Sequence, residues 1–162
     1  MFNVREIHRE RSDRWGLART ANHIGSTLIS MGRFEEAISN FHESLALIDG
    51  LAGMESTRAS AYVGLAAAVS LNGDLAEGRK LFSIAKALNT DLADQANLAH
   101  ADLTEGETLI RLGLAEEGEA LTRKGIEAFD AQGGLNGVPA DEVIAGRLAR
   151  IRDQVAKQKN QN

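Results

Sequence analysis

Four histidines are the residues of this 162-residue chain whose chemistry would best suit a metal or a proton transfer. They are His8, His23, His42 and His100, and they show neither an i,i+4 pair nor a repeated ligand spacing. A helix that binds a metal through two imidazoles needs such a pair. The chain has no cysteine, which excludes disulfides and thiolate ligands. We therefore predict no metal site and no cofactor.

The other candidate motifs also favour a non-catalytic protein. The acidic runs FEEA and EEGE are typical of solvated helix faces rather than of paired catalytic carboxylates. The segment GGLNG lacks the Lys-Ser/Thr of a phosphate loop, and no Gly-x-Ser-x-Gly elbow occurs. Trp15 is interpreted as packing at a repeat junction rather than as an exposed anchor for a partner. The sequence thus predicts that the chain is not an enzyme.

The amino-acid composition limits which class of protein this is and which partners are expected. Hydrophobic residues make up 43% of the chain and charged residues 25%, with one proline and 4% aromatic residues, a balance that favours helices in a single domain, 1–162. The net charge is −5; residues 1–20 and 141–162 each carry +2, which leaves −9 between them. An acidic body argues against nucleic-acid and membrane partners. No leader or membrane-spanning pattern is recognised, so a cytoplasmic location is expected.

A sequence pattern with a period of about 40 residues occurs three times. Its fixed point is a glycine, at Gly32, Gly73 and Gly113, with spacings of 41 and 40 residues. Each glycine follows an apolar residue by four positions and a very small residue by seven, and it precedes another small residue by five. The small residues are Gly25, Ala66 and Gly106 before the glycines, and Ala37, Gly78 and Gly118 after them. Such a period is the signature of stacked helix pairs whose axes approach closely.

These patterns predict an all-α fold, a solenoid of three helix pairs; a right-handed sense for it is implied by the family resemblance described next. We expect an N-terminal helical stump (1–11), three repeats (13–50, 54–90 and 92–132), a capping helix (139–158) and a tail (159–162). The cap is predicted from one apolar stripe, Ile144, Leu148, Ile151 and Val155. Asp13 and Asp94 are interpreted as capping the repeats' first helices, which we term A helices.

The repeat resembles the tetratricopeptide repeat (TPR), over roughly residues 13–130. The resemblance is carried by the turn glycine, the small residues named above and an aromatic early in the second helix, Phe41 and Phe82. Thr122 takes the aromatic's place in the third repeat, whose second helix is expected to be looser. The period exceeds the usual 34 residues and is similar to that of the long-repeat subgroup.

The resemblance implies a scaffold that binds a peptide or helix of a partner protein in the concave groove of the A helices. The expected groove residues are Arg19, Asn22, Ser26, Ile29, Val63, Ala67, Ser70, His100, Leu103, Glu107 and Ile110, and the matched face of the second repeat begins at Ser60. Valine, leucine and isoleucine in this set predict largely apolar recognition. Contact of the same residues with the second helices or with solvent is the competing interpretation.

A different class of function stays open beside the scaffold. The chain could be a regulatory or self-assembly segment of a larger bacterial regulator or signalling protein, sensing a small ligand or peptide. A homodimer through the terminal helices, involving Phe2, Val4 and Ile7 or the C-terminal stripe, would belong to that alternative.

Overall fold

The computed structural model describes residues 13–91 and 94–159 of the chain. Over these residues it confirms the all-α prediction, with seven helices and no strand. The helices are α1 (Arg14–Ser30), α2 (Phe34–Leu47), α3 (Glu55–Leu71), α4 (Leu75–Asp91), α5 (Gln95–Arg111), α6 (Ala115–Asp130) and α7 (Ala140–Lys159). The predicted N-terminal helix (1–11) lies outside the described residues. The right-handed superhelix and the TPR identity stay predictions.

The contacts divide the chain into two compact units, Met1–Ala93 and Asp94–Asn162, where the sequence predicts one domain. In the first unit each helix packs on the next, from α1 to α4, and α1 also packs on α3. In the second unit α5 pairs with α6, and α7 packs on both. Consecutive helices therefore pack in pairs in each unit, as the repeat predicts.

The repeated glycine ends the first helix of each pair by one shared mechanism. Gly32, Gly73 and Gly113 have φ values of 73°, 110° and 87°, a left-handed conformation that glycine adopts without a Cβ clash. The amide that follows each glycine donates a hydrogen bond to the carbonyl of the apolar residue four positions before it. These bonds are Arg33 to Leu28 (2.9 Å), Asp74 to Val69 (3.1 Å) and Leu114 to Leu109 (2.9 Å). The repeated sequence pattern therefore specifies the same helix-ending turn in each of the three repeats.

The predicted N-terminal caps are confirmed. The Asp13 carboxylate accepts a hydrogen bond from the Gly16 amide at 2.8 Å, at the start of α1. The Asp94 carboxylate accepts one from the Asn97 amide at 3.0 Å, at the start of α5. Each bond satisfies one of the amides that the first turn of a helix leaves unpaired.

The small residues lie where the paired helices touch. A Cβ built on Gly25 would lie 2.7 Å from the Phe41 ring, so α1 leaves room for an aromatic side chain of α2. In the second unit a Cβ on Gly106 would lie 2.6 Å from the carbonyl oxygen of Gly118, so the two backbones themselves are in contact. Thr122, expected to loosen this pair, is 0% exposed. That expectation is wrong, because two small partners let the helices approach more closely.

The C-terminal helix covers one side of the α5–α6 pair. Ile144 and Ile151 of the predicted stripe are buried, and Ile144 belongs to a cluster with Leu103 of α5 and Ile126 of α6. Phe129, Leu135, Val143 and Leu148 pack around this cluster. No helix in residues 13–91 or 94–159 is long and apolar enough to cross a membrane.

Candidate binding recess

Side chains of α1 and α3 enclose an open recess of about 340 Å³ in the first unit. Both helices are A helices. Each contributes residues from its N-terminal half, and these residues are spaced by one or more helical turns. The lining residues are Trp15, Arg19, Asn22 and His23 from α1, and Ser56, Thr57 and Ser60 from α3. We call this set the α1–α3 recess.

Trp15 forms one wall of the recess and is 45% exposed. Its indole Nε1–H donates a hydrogen bond to Thr57 Oγ1 at 3.3 Å, which fixes the ring against α3. The guanidinium carbon of Arg19 lies 4.7 Å from the ring centroid, a cation–π contact that orients the charge over the indole. Trp15 therefore packs at the junction of the first two repeats, as interpreted from the sequence, while nearly half of its surface is also open to solvent.

Asn22 contributes an unpaired acceptor. Its Oδ1 atom is shielded from solvent and has no hydrogen-bond partner among the parts of the chain that the structure describes. Burying such an atom without a partner costs about 1–3 kcal/mol, so a rotation of the amide that turns this oxygen toward a donor in the recess would recover that cost. A polar occupant therefore suits this position better than an apolar one.

The charge of the recess is opposite in sign to that of the whole chain. Arg19 carries the full positive charge, and none of the seven lining residues is acidic. No carboxylate in residues 13–91 or 94–159 forms an ion pair with Arg19. Because the protein as a whole carries −5, this recess is a local cationic site on an acidic molecule.

The predicted groove residues of the first unit separate into two groups. Arg19 and Asn22 line the recess, Ser26 is exposed and Ile29 is half-buried. Val63, Ala67 and Ser70 of α3 are buried, each 2% exposed or less. Ser70 donates a hydrogen bond to the Ala66 carbonyl and contacts Gly78 of α4, so it belongs to the interior of that helix pair. Only the polar part of the predicted apolar groove is accessible here.

The predicted groove residues of α5 are largely covered. Leu103, 6% exposed, lies in the cluster with Ile126 and Ile144, and Ile110 is buried against Gly118. Glu107 forms an ion pair of 3.4 Å with Arg147 of α7, and the two side chains are 34% and 37% exposed. His100 keeps solvent access, but desolvation by burial and then the charge of Arg147 lower its pKa. Leu103 and Glu107 thus contact α7, Ile110 contacts α6, and His100 is exposed.

Four recess residues were absent from the predicted set: Trp15, His23, Ser56 and Thr57. A usable signal existed for the last two, which lie in the first turn of α3 one turn before the expected position Ser60. Trp15 lies one turn before Arg19 in the same way. Extending the matched positions by one helical turn toward the N-terminus would have found all three.

No known protein identifies this site. No family model, no curated protein and no solved structure matches the chain. Among the residues that the structure describes, no group of three or more His, Asp or Glu side chains could hold a metal ion. The geometry of the recess is therefore the basis on which a function is proposed below.

Proposed function

We propose that the chain is a non-enzymatic protein-interaction module of the TPR type, acting in the cytoplasm, and that the α1–α3 recess binds an extended segment of a partner protein. The observation that supports this most strongly is the meeting of three features in one opening: an exposed indole, a guanidinium that forms no ion pair with residues 13–91 or 94–159, and a shielded amide oxygen that receives no hydrogen bond from them. Each of them suits a different part of a peptide.

An extended segment fits these groups better than a helix does. Asn22 Oδ1 needs an N–H donor, and the backbone amides of a helix interior are already used within the helix. A segment in extended conformation keeps its amides free for such bonds. The indole face of Trp15 offers an apolar surface for a side chain two positions away.

Charge selects the side chain that the segment presents. A carboxylate within reach of Arg19 would gain a charge-assisted hydrogen bond, and no lining acid competes for the guanidinium. We therefore expect a segment with Asp or Glu next to an apolar residue. The largely apolar recognition predicted from the sequence is replaced by this polar one, because Val63, Leu103 and Ile110 are buried.

A display library of random linear peptides of about twelve residues, panned against the purified chain, tests the proposal. Enriched peptides are then titrated while the emission of Trp15 is followed, and because the chain contains one tryptophan the signal reports on the recess alone. We expect enrichment of acidic sequences. Arg19→Gln should lower their affinity about tenfold, the loss typical of one hydrogen bond to a charged group.

The matched control is Ser26→Ala, an exposed position on the same helix two turns from Arg19. It should leave affinity unchanged. Equal binding to the parent, Arg19→Gln and Asn22→Leu would place peptide binding outside the recess. Failure to enrich any peptide would contradict the proposed function itself.

A further inference from the structure

Two sets of contacts show how the walls of the α1–α3 recess are aligned. Near the start of both helices, the indole nitrogen of Trp15 donates a hydrogen bond to the Thr57 hydroxyl at 3.3 Å. Further along, a Cβ built on Gly25 and one built on Gly64 would each overlap the ring of Phe41. The two pairs, 15 with 57 and 25 with 64, follow the same order along both helices, so α1 and α3 run in the same direction.

This alignment puts Arg19 and Ser60 at the same level of the recess. Arg19 follows Trp15 by four residues, which is about one helical turn. Ser60 follows Thr57 by three residues and lies about one turn further along α3. Both residues line the recess, and both are exposed. A guanidinium on one wall and a hydroxyl on the other therefore border the same part of the opening.

The two walls hold more hydrogen-bond donors than a carboxylate uses. The Trp15 ring carries the Arg19 guanidinium over its face, at 4.7 Å from the centroid, and Thr57 at its edge. A hydroxyl that accepts one hydrogen bond keeps its own hydrogen to donate, so Thr57 and Ser60 add O–H donors to the N–H donors of Arg19. Because a guanidinium by itself can bind both oxygens of a carboxylate, these hydroxyls have no role in binding Asp or Glu.

A phosphate monoester suits this set of donors better than a carboxylate does. It carries a charge of about −1.5 to −2 at pH 7 and presents three strong acceptor oxygens. Two of these oxygens can bind the guanidinium of Arg19 while the third accepts from a hydroxyl of the opposite wall. The recess has a volume of about 340 Å³, and none of its seven lining residues is an acid that would repel the additional charge.

We propose that the α1–α3 recess recognises a phosphorylated serine or threonine of the partner segment, and that Arg19 and Ser60 hold the phosphate from opposite walls. This inference rests on the peptide-binding function proposed above and names the side chain that the site selects. An Asp or Glu at the same position of the segment is then a weaker mimic of the phosphorylated residue.

Three libraries of short peptides test this preference. They share the same random flanking positions and differ only in the fixed central residue, which is phosphoserine, glutamate or serine. Each library, and inorganic phosphate as a fourth probe, is titrated into the full chain while the emission of its one tryptophan, Trp15, is followed. The phosphoserine library should bind about tenfold more tightly than the glutamate library, the gain typical of one more hydrogen bond to a charged group. The serine library and inorganic phosphate should bind more weakly than the phosphoserine library.

Ser60→Ala makes the test specific to the phosphate. It should remove most of the advantage of the phosphoserine library and leave the affinity for the glutamate library unchanged, because a carboxylate does not use this hydroxyl. Arg19→Gln should weaken both libraries. The matched control, Ser26→Ala, removes an exposed hydroxyl of α1 outside the recess and should change neither affinity.

The outcomes separate this inference from the function on which it rests. Equal affinity for the phosphoserine and glutamate libraries would overturn the inference and leave peptide binding intact. A Ser60→Ala variant that changes both affinities equally, or neither, would overturn it in the same way. Inorganic phosphate that binds as tightly as the phosphoserine library would overturn it by showing an anion site without peptide recognition. Binding of none of the three libraries would contradict the proposed function together with the inference.

Discussion

The same repeat position produces an open recess in one unit and a closed core in the other. On α1, Arg19, Asn22 and Ser26 occupy the positions that His100, Leu103 and Glu107 occupy on α5. Arg19 and Asn22 line the recess with the short polar side chains of α3, and Ser26 is exposed. The α5 residues face α7, where Leu103 packs on Ile144 and Glu107 pairs with Arg147.

This difference shows that the position of a residue in the repeat does not determine whether its side chain is accessible. Both interfaces join an A helix to a later helix of its unit, and both follow the same spacing. The contacting residues differ in size: Asn22 and Ser60 line the recess with short polar side chains, whereas Leu103 and Ile144 pack on each other. A binding site can therefore arise in one repeat through the loss of bulk rather than through the gain of a motif.

The largest effect is expected where the closed interface is broken. Leu103→Asp removes a buried apolar side chain, a loss of about 2–5 kcal/mol, and it buries an unpaired charge as well. The sum is comparable to the stability of a whole domain, so we expect the second unit to unfold. Helicity and thermal melting by circular dichroism measure this. Ser26→Asp, exposed on α1, is the control; equal melting of both variants would show that Leu103 is not a core residue.

The contact between backbones in the second unit predicts the next effect. Gly106→Ala should destabilise by about 1–3 kcal/mol, because the new methyl would meet the Gly118 carbonyl. Gly25→Ala should cost less, since the atoms it meets belong to the end of the Phe41 side chain, which can shift more easily than backbone. Gly146→Ala on α7 meets no atom within 4 Å and should stabilise by about 0.5–1 kcal/mol. Urea unfolding of the three variants gives the order, and a destabilised Gly146→Ala would refute it.

The next prediction transfers a residue from the closed interface of α5 to the open interface of α1. Asn22→Leu places on α1 the side chain that α5 carries at the matched position. It removes the unpaired amide oxygen and should raise the free energy of unfolding by about 1 kcal/mol. It should also weaken peptide binding at the recess. Ser26→Leu, at an exposed site, should stay within about 0.5 kcal/mol of the parent; a loss of stability in Asn22→Leu would mean that the oxygen is satisfied.

The smallest expected effect is on how the stability of the second unit depends on pH. Burial and the charge of Arg147 lower the pKa of His100 below its usual 6.5, so the unfolded chain binds a proton there more readily than the folded one. The contribution of this residue to stability is therefore present above pH 6.5 and is lost as the pH falls through the folded-state pKa. His100→Gln should flatten that part of the stability profile, and Arg147→Gln should flatten it in part. An unchanged profile in His100→Gln would contradict the assignment.

Much of the fold could be predicted because its signals are local. Asp13 caps α1 through an amide three residues away, and Gly32 closes its turn through a carbonyl four residues back. The stripe of Ile144 and Ile151 lies on one face of one helix. Such features depend on neighbours within a turn or two, so spacing alone carries them.

The candidate site could be predicted only in part. Their spacing predicts that Arg19 and Asn22 lie on the face of α1 that lines the recess, but the same spacing places the buried Val63 and Leu103 on the matching faces of α3 and α5. Whether a position on that face is open depends on the residue of another helix that packs opposite. For Leu103 this residue is Ile144, 41 positions later, and no local pattern couples the two.

The sequence by itself determined the helices, their turns and their pairing, because hydrogen bonds within a helix end and apolar spacing along a helix act over a few residues. The tertiary structure alone decided that Trp15 is exposed beside Arg19, that the oxygen of Asn22 has no donor in the described part of the chain and that α7 covers Leu103. The physical reason is that burial and hydrogen-bond satisfaction belong to pairs of side chains brought together by packing. The position of a residue in a repeat determines on which face of the helix its side chain lies. The residue that packs against it determines whether that side chain is accessible to a ligand.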